Sequence, residues 1–151
     1  MSLNKMLALV GLAAVGIVGS VARDGFSDTI PAMAGHAWFA SDVACFNSSW
    51  SQTTNSCSRT AKLLIPIQSR SNGNVTFKAT SNASGPICVV SPTCRAVVTN
   101  QANGFIAQTA ATLVCGGGSP TTLGTLSVAS TSVAHYDCDF DSGETLTSVA
   151  F

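Results

Sequence analysis

From residue 62 to the C-terminus the chain consists of short runs that alternate apolar and polar residues, cut by turn chemistry roughly every eight to twelve residues. This rhythm limits the fold more than any other feature. Side chains on a strand alternate between two faces with period two, whereas a helix needs about 3.6. The stretch "NVTFKATS", 74 to 81, is the clearest case: Val75, Phe77 and Ala79 fall on one face and Thr76, Lys78 and Thr80 on the other. Before it stands "KLLIPIQS", 62 to 69, in which Pro66 predicts an edge strand or a bulge because it cannot donate to a ladder. "ICVV" (87–90), "CRAVVTNQ" (94–101), "FIAQTAATLVC" (105–115), "LGTLSVAS" (123–130), "VAHYDCDFD" (133–141) and "ETLTSVAF" (144–151) follow, parted by Gly-, Asn- and Pro-rich turns. Seven or eight such strands, with no helical heptads after residue 22, predict an all-β, antiparallel two-sheet sandwich of jelly-roll-like type. A Greek-key immunoglobulin-like arrangement is the alternative.

Upstream the pattern changes. Residues 1–22 carry Lys5, then an apolar Met6–Gly19 run, then the small-x-small triplet Ser20-Val21-Ala22. That is the three-part form of a secretory signal peptide, with cleavage expected after Ala22. A retained anchor is the rival, at the lower length limit for crossing hydrocarbon. Residues 23–36 form a polar lead-in. "AWFASDVACF", 37–46, reads as strand or short helix, and "NSSWSQTTNSCS", 47–58, as a polar loop. Residues 37–151 are expected to make a single β-sandwich domain.

Six cysteines, Cys45, Cys57, Cys88, Cys94, Cys115 and Cys138, all follow the predicted cleavage point. In an exported chain they imply three disulfides. Proximity in sequence favours Cys45–Cys57, Cys88–Cys94 and Cys115–Cys138. Zinc spacing is absent, and His36 and His135 stand alone. The destination is a periplasm, the cell surface or the medium.

Charge narrows the function. Only 9% of residues are charged, seven basic against seven acidic, and no basic cluster occurs. Phosphate backbones need such a cluster, so a nucleic-acid partner is set aside. No membrane association is expected after signal cleavage. Catalysis lacks support as well: there is no G-x-S-x-G elbow, and four of the seven acidic residues crowd one corner. No enzyme activity is expected.

That corner is "HYDCDFDSGE", 135–144. On a strand, Tyr136, Cys138 and Phe140 would face the core, and Asp137, Asp139 and Asp141 would face solvent. The EF-hand pattern fails, because its sixth position is Ser142 and its twelfth Ser148. The favoured reading is a solvated strand face with no cofactor. A calcium site at Asp139, Asp141 and Glu144 is the alternative. A second candidate site is a sugar-binding surface built on Trp50 in "NSSWSQ", with Asn47, Gln52 and Asn55. Trp38 and Phe39 are expected to plug the core.

"LLIPIQSRSNGNVTFKA", the scattered cysteines and the closing "SGETLTSVAF" resemble small exported bacterial β-sandwich proteins of jelly-roll-like form whose function is not characterised. The shared stretches cover about a quarter of the chain and bring no functional residues with them. The leading expectation is therefore an exported structural or interaction protein that assembles with itself or another surface protein through sheet edges. The lead-in or "TLTSVAF" would be the pairing strand. The alternative is a carbohydrate-binding module taking a polysaccharide, with calcium assisting.

Overall fold

The computed structural model of the chain describes residues 29–49, 52–67, 72–82, 88 and 91–151. The predicted signal peptide, the start of the lead-in, Trp50 and most of the expected strand 87–90 lie outside them. In chain order the strands are β1 (Thr29–Pro31), β2 (His36–Ala37), β3 (Phe46–Ser49), β4 (Gln52–Asn55), β5 (Ala61–Ile67), β6 (Gly73–Thr80) and β7 (Thr93–Asn100). Then come β8 (Phe105–Gln108), β9 (Thr112–Leu113), β10 (Thr121–Val128), β11 (Ser132–Phe140), β12 (Thr145–Leu146) and β13 (Ser148–Ala150). Two short 3-10 turns, Ala32–Ala34 and Ala40–Cys45, are the only helical pieces among the described residues.

All pairings are antiparallel and fall into three sheets. One runs β1-β13-β6-β10. The second runs β2-β5-β11-β7-β8, with β9 also on β7. The third is β12-β4-β3. The expected alternation is present: Val75, Phe77 and Ala79 of β6 are buried, as are Ala134, Tyr136, Cys138 and Phe140 of β11. These faces meet in one core with Leu63, Ile65 and Ile67 of β5. Phe77 and Tyr136 touch edge to face at 5.7 Å between ring centroids, which joins the first sheet to the second. The Tyr136 hydroxyl donates to the Ala150 carbonyl at 2.5 Å and makes the same link again.

Several sequence expectations need correction. The strands are more numerous and shorter than the seven or eight expected. "FIAQTAATLVC" is broken because Thr109 substitutes its side chain for backbone: its Oγ1 accepts the Ala96 N–H at 3.0 Å. "ETLTSVAF" is broken at Thr147, where the chain passes from the third sheet to the first. The Thr147 N–H donates to Thr80 at 2.8 Å, and its carbonyl accepts from Ala32 at 3.0 Å. The end strand is consequently no free edge, since β13 lies between β1 and β6. The lead-in lies along the fold, with Ala32 fully buried. The loop predicted at 47–58 contains the hairpin β3–β4. Its strand character is hidden because hydroxyls take the place of apolar side chains: Ser48 meets Thr53 at 2.9 Å, and Thr54 meets Thr145 at 3.0 Å. Residues 37–46, read as strand or short helix, hold the 3-10 turn Ala40–Cys45 between Ala37 of β2 and Phe46 of β3. Pro66 does sit on an edge: β2 covers β5 only at Leu63 and Leu64.

The disulfide pairing also differs. Cys45–Cys57 forms as expected, but the others are Cys88–Cys115 and Cys94–Cys138. Proximity in sequence failed because β7 and β11 are neighbours in space and their register sets Cys94 opposite Cys138. Three bridges and no free cysteine fit an oxidising compartment, extracellular or periplasmic. No helix among the described residues is long and apolar enough to cross a membrane. Peptide mapping of the unreduced protein should recover Cys94 linked to Cys138 and Cys88 linked to Cys115. Recovery of a Cys88–Cys94 peptide would contradict this topology.

Candidate functional site

The second sheet turns its outer face away from the core, and most of the charge in the described chain gathers at one end of that face. Register places it there. Lys62 of β5 stands opposite Asp139 of β11, and Arg95 of β7 opposite Asp137. Asp137 is not solvated, contrary to expectation; it is only 8% exposed. Arg95 donates to its Oδ2 from Nε at 3.0 Å and from a terminal nitrogen at 2.7 Å. Lys62 Nζ lies 3.1 Å from Oδ1 and 3.3 Å from Asp139 Oδ1. Two cations thus offset the desolvation of one carboxylate, which an unpaired acid could not tolerate. Asp139 is partly exposed, as expected of an outward residue.

Beside this group the 3-10 turn Ala40–Cys45 lays a second ionic pair against β5. Asp42 is 2% exposed. Its Oδ1 accepts from Arg59 at 2.6 Å and its Oδ2 from the Lys62 backbone N–H at 3.0 Å. The Lys62 N–H, followed by Arg59, holds the Asp42 carboxyl below its ordinary value of 3.8. Arg59 also donates to the Ser41 carbonyl at 2.7 Å. Between the two pairs opens a cleft of about 220 Å³, lined by Phe39, Ser41, Asp42, Arg59, Thr60, Ala61, Lys62 and Asp139. Trp38 and Phe39 do not plug the core; they are 51% and 54% exposed.

The structure does not assemble the expected calcium site. Asp139 pairs with Lys62. Asp141 accepts from Thr60 Oγ1 at 2.5 Å. Glu144 turns back to accept the Asp141 N–H at 2.6 Å, closing a tight turn through Gly143 at φ +80°. Burial raises the Glu144 carboxyl, as does the Asp141 charge, while the Asp141 N–H opposes them. No group of three or more His, Cys, Asp or Glu converges for a metal among the described residues.

Of the alternative sugar-binding set, only Asn47, Gln52 and Asn55 are among the described residues. Trp50 lies outside the described residues, Asn47 is exposed on β3, and Gln52 is half-buried. Asn55 is fully buried and structural. Its amide donates to the carbonyls of Arg59 at 2.8 Å and Phe140 at 2.9 Å, and its oxygen accepts the Cys57 N–H at 2.9 Å. His135, the only imidazole near an acid, is half-buried, and desolvation lowers its pKa despite the Asp137 charge. No hydrogen bond links it to a hydroxyl among the described residues.

At the opposite end of the same face the surface is apolar. Phe105 of β8 and Val133 of β11 both register with Thr99 of β7. Phe105 is 65% exposed, and Ile106 and Val133 are exposed beside it. No Lys, Arg, Asp or Glu occurs between Arg95 and Asp137. Sequence reasoning passed over Arg59, Lys62, Arg95 and this uncharged stretch. The signal for the cations was parity: Lys62 and Arg95 sit at outward positions of strands whose inward positions are apolar. Comparison with known proteins finds no matching family model and no significantly similar curated protein.

Two measurements follow from these contacts. Asn55→Ala should lower stability by about 1–3 kcal/mol, because it leaves two carbonyls and one N–H without a partner; denaturant titration reads this directly. Asp42 has a folded pKa below its unfolded one, so its contribution is present above pH 3.8 and lost as pH falls through and below that value. Asp42→Asn should therefore weaken the protein at neutral pH and flatten that acid limb. An unchanged acid limb would contradict the role given to Asp42.

Proposed function

We propose that the chain is an exported, non-enzymatic surface protein, a disulfide-stapled jelly-roll-like sandwich that joins to a second copy of itself through the β8 edge. The carrying observation is the apolar, uncharged edge of β8. Edge strands present unpaired N–H and C=O groups, and monomeric proteins blunt them with charge, proline or cover. Here the edge strand offers Phe105 and Ile106 to solvent, with Val133 next to it. Zero net charge adds no long-range repulsion between copies. The remaining expected edges fit less well: β13 is enclosed, and β1 is short and ends in Pro31.

Two β8 strands pair antiparallel about a two-fold axis in this reading, so each Phe105 side chain covers the apolar rim of the other copy. Non-enzymatic function is supported by the use of the polar groups. Asp42, Asp137 and Asn55 are each fixed by neighbours, and the half-buried imidazole has no hydroxyl partner. Export is supported by the three bridges and by the leader pattern at residues 1–22. The resemblance to small exported bacterial β-proteins belongs with this reading.

Sedimentation of the oxidised, exported protein decides it. A dimer or larger closed assembly at micromolar concentration is expected, and Ile106→Lys should convert it to monomer while leaving its circular dichroism unchanged. A monomer at all concentrations up to about 1 mM, the affinity at which association is worth only about 4 kcal/mol, would overturn the proposal.

A further inference from the structure

We infer that the cleft beside Phe39 is a binding site for a neutral saccharide. The inference goes beyond edge assembly and stands without it. Its basis is the juxtaposition of an exposed aromatic face with charged groups of both signs at the mouth of one cleft.

The aromatic platform is held in place. The Trp38 N–H donates to the Lys62 carbonyl at 2.9 Å, and the Phe39 carbonyl accepts from the Asp42 N–H at 2.9 Å. Asp42 is in turn fixed to the Lys62 N–H at 3.0 Å. Phe39 is thus tied to β5 on both sides while its ring stays 54% exposed. A backbone fixed before binding limits the entropy lost when a ligand covers the ring. An exposed aromatic on a fixed backbone is also a poor choice for stability, since the core gains nothing from it.

The polar groups fit one ligand class. Arg59 and Lys62 bring two positive charges to the lining, and Asp42 and Asp139 two negative ones. An anion would meet the partly exposed Asp139, and a cation would meet Arg59. A neutral polyol suffers neither repulsion. Its hydroxyls can donate to the Asp139 carboxylate and the Thr60 hydroxyl, and accept from the Arg59 guanidinium, which is half-exposed at 49%. The flat, C–H-rich face of a pyranose ring would lie on Phe39. A pocket with one apolar wall and a few convergent polar groups is the usual form of a small-ligand site. Asn47, Gln52 and Asn55, read in the sequence as a sugar-binding set, do not line this cleft.

The probes are neutral tetrasaccharides of glucose, xylose and mannose in both anomeric linkages, with a tetrasaccharide of galacturonic acid as the charged control. Titration calorimetry on the oxidised, exported protein is expected to show saturable binding of at least one neutral probe and none of the uronic acid. Phe39→Ala should weaken that binding at least about tenfold. Asp139→Ala should weaken it as well, and both variants should stay folded with thermal stability close to wild type, because Phe39 is exposed and the Asp139–Lys62 pair is partly solvent-screened. Amide shifts on the best probe should centre on Phe39, Thr60 and Asp139. The inference is overturned if every neutral probe binds more weakly than about 10 mM. It is equally overturned if the uronic acid binds best, or if binding survives Phe39→Ala unchanged.

Discussion

Tyr136 ties the two large sheets together. Its ring stands edge-on to Phe77 of the first sheet, and its hydroxyl reaches the Ala150 carbonyl of that same sheet. A buried phenol without a partner costs free energy, so the side chain supplies apolar contact and direction at once. Burial drives its pKa well above the ordinary value, and the hydroxyl stays a donor at every physiological pH. Its strand, β11, is central: β5 pairs with it on one side and β7 on the other. Cys138, two residues on, is bonded to Cys94 of β7. The placement of β13, and through it of the lead-in strand β1, rests on this one strand being fixed.

Fixing β11 fixes the charges too. The parity that sends Tyr136, Cys138 and Phe140 inward sends Asp137 and Asp139 outward. Once outward, they meet Lys62 and Arg95 because the register leaves no other neighbours of opposite sign. In a chain with so few charges, concentration at one end of one face has a clear consequence. Elsewhere hydroxyls carry the polar contacts, as in the Ser48–Thr53, Thr54–Thr145 and Thr76–Thr125 pairs. Such pairs tolerate export into varied salt, because they are not screened as ion pairs are.

The sequence discloses period-two strands wherever one face is apolar, and β5, β6, β7, β10 and β11 were legible for that reason. It conceals the hairpin β3–β4, because the inward residues of β4, Thr53 and Asn55, are polar yet buried. Buried polar residues follow a partner rather than a pattern, and the partners of Asn55 lie as far away as Phe140. The same limit explains the disulfides: local pairing found Cys45–Cys57, closed by a hairpin, and missed two bridges set by sheet order. Trp38 and Phe39 misled in the other direction. They were expected in the core, but both are exposed, and among the described aromatics of this region it is Phe46 that turns inward, onto Phe140 at 5.4 Å. Of the carboxylates in the alternative calcium reading, Glu144 is used by its own turn.

The apolar edge and the cleft share one face but not one place. Val133 marks the edge end of β11 and Asp139 the cleft end. Six residues of strand separate them by about 20 Å. A partner seated on Phe105 and Val133 therefore does not reach Phe39. The proposed two-fold dimer through β8 would carry two clefts, each at the far end of its own sheet from the joint. Weak single sites then act together on a repetitive polymer, because the second contact is made at high effective concentration. Shallow clefts with few polar groups bind weakly one at a time, so the proposed edge pairing would strengthen the proposed saccharide binding.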